Sequence, residues 1–142
     1  MEFLKLVLTF GVGYLVILVG DAIFLGRVVH QFIIDKFGPL VESTNGSINM
    51  NLGVGLVAWF VIVMMIFVFV LKSGLVSSYQ TALGYGALMG LLMYAMYDLT
   101  NLTFLKDYPV SFVMIDIAWG TFLCAMITVA MFAFQNWINT VL

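Results

Sequence analysis

The sequence predicts an all-α integral membrane protein: a bundle of four transmembrane helices in up-down-up-down order, with an interfacial helix between the first two. Three observations carry this. Hydrophobic residues make up 64% of the 142 residues, against about 45–50% in soluble domains. Charged residues fall to 8% where about 25% is usual, and mean hydropathy is +1.17. A single domain of this length has too little interior to hide that much apolar surface from water, so the surplus faces lipid. The third observation is spacing. A spanning helix needs roughly 20 mostly apolar residues, and four runs of about that length lie between polar or turn residues.

The first run covers about 6–25, follows Glu2 and Lys5, and holds Asp21 near its end. It lacks a small-x-small cleavage site and is expected to be retained as a helix. From 26 to 38, Val28, Val29, Phe32 and Ile33 fall at helical spacing among Arg27, His30, Asp35 and Lys36, the pattern of a helical extension or an interfacial amphipathic helix. Pro39 and the polar stretch 42–47 then break it and form the one long loop. The second run, about 52–71, has no ionisable residue; with Trp59 and its Val, Ile, Met and Phe it reads as lipid-facing and functionally quiet. The third, about 79–97, stops against Asp98-Leu99-Thr100-Asn101, and the fourth, about 110–137, contains Asp116. Short connections at 71–79 and 106–109 make the second and third, and the third and fourth, antiparallel neighbours, so 1–142 reads as one membrane domain.

Basic residues are nearly balanced between the faces. Lys5 and Lys72 lie with the termini; Arg27, Lys36 and Lys106 lie opposite. The expectation is cytoplasmic termini in a plasma or inner membrane, resting on little charge asymmetry. Two sequons, Asn45-Gly46-Ser47 and Asn101-Leu102-Thr103, fall on the second face.

A formal charge of −2 excludes a nucleic-acid surface. Cys124 is the single cysteine and His30 the single histidine, too few for a zinc, iron–sulfur or c-type haem site, and no cofactor is implied. Neither a P-loop nor an H-E-x-x-H motif is present, so enzyme chemistry is not the leading reading.

The informative residues are the acids. With an even number of spans, Asp21, Asp98, Asn101 and Asp116 share one leaflet, and a carboxylate in a helix centre costs about 2.5–3.5 kcal/mol on insertion scales. Phe24 follows Asp21 by one turn, and Trp119 follows Asp116 likewise; Tyr94, Asp98 and Asn101 form one stripe at i, i+4 and i+7. The Trp119 indole and the Tyr94 hydroxyl can both donate to a carboxylate. A cluster of Asp116, Asp98, Asp21, Asn101, Trp119 and Tyr94 between helices one, three and four is therefore the candidate ion or ligand site. Gly86 and Gly90 form a G-x-x-x-G segment that admits a close-packed neighbour. Plainer readings stand beside these: Asp98 and Asn101 as a helix stop, Asp21 as a snorkelling or Arg27-paired residue, His30 as a surface group.

The stretches Gly20-Asp21-Ala22-Ile23-Phe24-Leu25-Gly26, Met96-Tyr97-Asp98-Leu99-Thr100-Asn101-Leu102 and Ile115-Asp116-Ile117-Ala118-Trp119-Gly120-Thr121 resemble the small predicted bacterial-type membrane proteins grouped as domain of unknown function 2177. The likeness covers nearly the whole chain. The family pattern has Trp where this chain has Phe24, so no helix-one indole is carried over. The resemblance implies a four-helix membrane protein and supplies no activity.

Three functions follow from the cluster. The first is conduction or exchange of protons or small cations, in a homo-oligomer or with a membrane-protein partner. The second is a bilayer-embedded site, binding or more weakly catalytic, for a lipid, quinone or isoprenoid. The third is a structural or assembly subunit whose polar groups only fix helix register.

Overall fold

The computed structural model describes residues 1–38, 41, 43–44 and 47–141. The helix breaker Pro39, and Glu42, Asn45 and Gly46 of the expected loop, lie outside the described residues, and the first sequon with them. Five α-helices are described: α1 Glu2–Ile23, α2 His30–Phe37, α3 Leu52–Ile66, α4 Tyr79–Phe104 and α5 Val110–Val141. A two-residue pairing of Ser43–Thr44 with Ser47–Ile48 is the one non-helical element among the described residues.

Two helices run on through a π-helical turn. Phe24–Val28 extends α1, closed by the Val29 N–H donating to the Phe24 carbonyl at 3.0 Å, and Phe67–Leu71 extends α3, closed by Lys72 N–H to the Phe67 carbonyl at 3.0 Å. Each widens the helix locally and re-aims the residues after it. Glu2–Val28, Leu52–Leu71 and Val110–Val141 are long and apolar enough to cross a membrane. The fourth expected span is not among these: α4 is long, but its tyrosines, threonines, glycines and Asn101 dilute its apolarity.

The ends follow local chemistry. The Asn51 side chain accepts from Val54 N–H at 3.2 Å to start α3, and Ser78 and Thr81 cap α4 reciprocally. The C-terminal end of α4 departs from expectation. It runs past Tyr97 to Phe104, with Thr100 and Thr103 turning their hydroxyls back to the Met96 and Leu99 carbonyls at 2.6 and 2.8 Å rather than out to cap a turn. The reversal into α5 is then made by a short turn in which Asp107 takes a left-handed conformation, φ 59°.

α5 is central. Ile17, Val63, Ile66, Leu123, Cys124, Ile127 and Met131 form the buried core around it. Against α4 the fit is backbone-close: a Cβ on Gly86 would overlap Thr128 and the Cys124 carbonyl, and one on Gly90 would overlap the Gly120 carbonyl. The G-x-x-x-G segment is thus occupied within the chain. α3 leans on α1 through Phe10 and Phe60, 5.0 Å apart, and through the Tyr14 hydroxyl, which donates to the Leu56 carbonyl at 3.0 Å. Of α3 and its extension, mainly the π-helical end reaches α4. The rest stands off from α4, and a cleft is left between them.

The outer surface stays apolar, with Phe3, Leu15, Val57, Phe69, Met96, Phe104 and Phe122 exposed. Such continuous exposure belongs in lipid.

Candidate functional site

The acids meet α5 from two sides. From α1, buried Asp21 accepts a hydrogen bond from the Trp119 indole N–H at 2.8 Å. Phe24, one turn on, lies flat on the same indole with ring centres 4.3 Å apart and planes within 2°. Gly20 makes the approach feasible, since a Cβ there would meet the Leu123 side chain at 2.7 Å. Trp59 of α3 is a second indole neighbour of Asp21. The pairing of Asp21 with Arg27 does not occur among the described residues, where the ion pair is Lys5–Glu2 at 3.5 Å.

From α4, Asp98 is fully buried and accepts from the Tyr108 hydroxyl at 2.9 Å through Oδ1. Its Oδ2 is buried with no hydrogen-bond partner among the described residues. The half-buried Asp116 carboxyl of α5 lies alongside it. Two carboxyl groups therefore adjoin with one oxygen lacking a protein donor. That is a costly arrangement unless a proton or another donor fills it.

Tyr108 was not foreseen as a site residue. It sits in the α4–α5 turn, ten residues from Asp98, a spacing no helical period links. The cue was only its place beside Pro109 in a very short turn. Burial pushes the Tyr108 phenol above its usual range, the bond to Asp98 pushes it further, and Asn101 acts in the opposite sense. The hydroxyl is thus held as a donor.

Asp116 borders two cavities. One, about 340 Å³, is roofed by Ile33 and Phe37 of α2 and lined below by Asn101, Tyr108 and Asp116. α2 is held there by its aromatic face, with Phe37 5.0 Å from Phe112 and 5.5 Å from Tyr108, while Gln31 and Asp35 face outward and bond to each other at 2.8 Å. The other cavity, about 480 Å³, is the α3–α4 cleft, walled by Ala58, Ile62, Met65, Met93 and Tyr94 and reaching Asp116. A third, about 420 Å³, borders Asp21, His30 and Ile33.

Of the residues singled out in the sequence, Asp98, Asp116 and Asn101 gather with Tyr108, while Asp21 and Trp119 form a separate knot across α5. Tyr94 seats its ring over Gly120 and lines the cleft; its hydroxyl makes no hydrogen bond among the described residues, so it is a wall and not a carboxylate donor. α3, expected to be functionally quiet, supplies the other wall.

Among known proteins, the profile of a family described as predicted membrane protein (DUF2177) matches residues 6–133 of the chain. No curated protein and no solved structure matches.

Proposed function

Because the chain belongs to that family of predicted membrane proteins, whose description names no activity, we propose a function from the site itself: a bilayer-embedded binding site for an amphipathic, lipid-like molecule. In this reading α4 crosses the membrane as a fourth span, giving an up-down-up-down bundle that acts as one membrane unit.

The supporting observation is the α3–α4 cleft. Its volume of about 480 Å³ lies in the range of small-molecule sites, its walls are apolar or aromatic, and a carboxyl group lies at its inner side. Ala58, Val61 and Met96 on its rim are exposed, so an acyl or prenyl chain enters sideways from lipid. The tail rests on Ile62, Met65 and Met93, and the head meets Asp116 with Asp98 behind it.

Conduction through one protomer has less support. Between the acids and the terminal face the bundle is filled by Ile17, Val63, Ile66, Leu123, Ile127 and Met131, all buried and apolar. Proton exchange at the acid-bearing face retains one specific support, the unpartnered Asp98 Oδ2. Asp21 takes the structural role in this reading, fixing α1 against α5.

Photolabelling tests the proposal. A single-chain amphiphile with a diazirine in its tail is expected to label Ala58, Ile62 and Met93 in nanodiscs above the level on exposed Val57 and Phe69. Ala58→Phe, which fills the cleft from its rim, is expected to cut the cleft labelling several-fold. Labelling spread evenly over the lipid-facing residues would contradict the site.

A further inference from the structure

We propose that the molecule held in the α3–α4 cleft carries a single positive charge, as an ammonium head, and that its binding displaces one proton shared by Asp98 and Asp116. The inference rests on the binding reading above and specifies its ligand.

The argument begins with what faces the pair. From α4 come Tyr94 and Tyr97, from the following turn Tyr108, and from α1, across α5, Asp21. α3 contributes no ionisable residue. On α2, Asp35 and Lys36 are exposed, and His30 borders the neighbouring cavity with Asp21. Lys106 and Asp107 of the turn are exposed, and among the described residues none of the groups facing the pair is a lysine or arginine.

The site therefore offers acceptors without a fixed positive charge. Tyr108 serves Asp98 Oδ1, and Oδ2 is left without a donor. In the empty site, one proton held between the two carboxyls supplies that missing donor and leaves the pair with one negative charge. An ammonium brings three N–H donors and one positive charge. When it reaches Asp116 at the cleft wall and takes the place of the proton held between Asp116 and Asp98, that proton departs to water through the cavity lined by Asn101 and Tyr108. The pair then carries two negative charges against one positive, so the net charge of the site is the same full or empty. A neutral head offers no such exchange, and an anionic head adds repulsion. Tyr94 and Tyr97, both on the cleft wall, add ring faces on which a cation is favoured.

The test uses the full chain in nanodiscs, titrated calorimetrically with octylammonium below its micellar concentration, with octanol and octanoate as matched neutral and anionic compounds. A weakly buffered pH dye follows protons. Octylammonium is expected to bind with release of about one proton each, affinity rising about tenfold per pH unit while the pair holds its proton. Octanol and octanoate are expected to bind at least tenfold more weakly. Asp116→Asn, checked for folding by circular dichroism, is expected to abolish both signals. Ala58→Phe, which leaves both acids in place, is expected to abolish binding. Equal binding of octanol would overturn the charge assignment while leaving the amphiphile site standing. Octylammonium binding without proton release would overturn the exchange. Binding of none of the three, together with failure of the photolabelling, would remove the underlying site as well.

Discussion

Asp21 and the Asp98–Asp116 pair place the same functional group in one layer of the bundle, yet their surroundings are opposite. Asp21 receives the Trp119 indole under a flat Phe24 ring and forms a closed knot between α1 and α5. Asp98 receives one phenol, keeps one bare oxygen, and has a second acid beside it that opens onto two cavities. Trp119 lies a single turn from Asp116, near enough by helical spacing to serve that residue, but its N–H goes across to α1. A buried carboxylate with its donors in place fixes structure; one left short of donors keeps a reserve of binding chemistry.

The largest expected effect breaks the knot. Trp119→Ala removes the indole bond and the Phe24 stack together and is expected to cost about 3–5 kcal/mol in detergent unfolding. A loss below about 1 kcal/mol would mean that Asp21 does not hold α1. Next is Gly90→Ala, whose new methyl would meet the Gly120 carbonyl. It is expected to cost about 1–3 kcal/mol by forcing α4 off α5, and unaltered thermal stability would deny that this seam is close-packed.

Tyr108→Phe removes the donor to Asp98 Oδ1 and is expected to cost about 1–2 kcal/mol. Its pH dependence has a definite sign. The folded phenol is raised above the unfolded value of about 10, so its contribution is fully present below about pH 10 and is lost as pH rises beyond that toward the folded value. The stability gap between wild type and Tyr108→Phe should therefore stay constant from neutral pH to about 10. A gap that stayed unchanged as pH rose well beyond about 10 would show an ordinary, exposed phenol with no shift on folding. The smallest effect on stability belongs to Asp116→Asn, expected within about 0.5 kcal/mol because the amide N–H can donate to Asp98 in place of the proton the two carboxyls share. A large destabilisation there would make Asp116 a structural residue like Asp21.

Much of this arrangement is legible in the sequence. Long apolar runs mark the helices, and helical spacing gathers Asp21, Asp98 and Asp116 toward one end while aligning Gly86 and Gly90. Periodicity tells which residues share a face, however, and not which neighbour that face meets. It could not assign the Trp119 indole to Asp21, nor bring Tyr108 back to Asp98 through a turn with Asp107 in the left-handed region. The Asp-Leu-Thr-Asn stretch resembles a helix stop, yet its threonine hydroxyl bonds back to Met96 within the helix and α4 continues to Phe104. α3 reads as a plain lipid-facing helix; only its lean onto α1 through Phe10 and Phe60 opens the cleft on its other side.

The most direct test of the division of labour is photolabelling of the α3–α4 cleft by the diazirine amphiphile in wild type, Asp21→Asn and Asp116→Asn, each reconstituted at equal folded concentration. Labelling of Ile62 and Met93 is expected to persist in Asp21→Asn and to fall at least tenfold in Asp116→Asn. Labelling that survives in Asp116→Asn, or is lost only in Asp21→Asn, would contradict the assignment of binding to the open pair and structure to the closed knot.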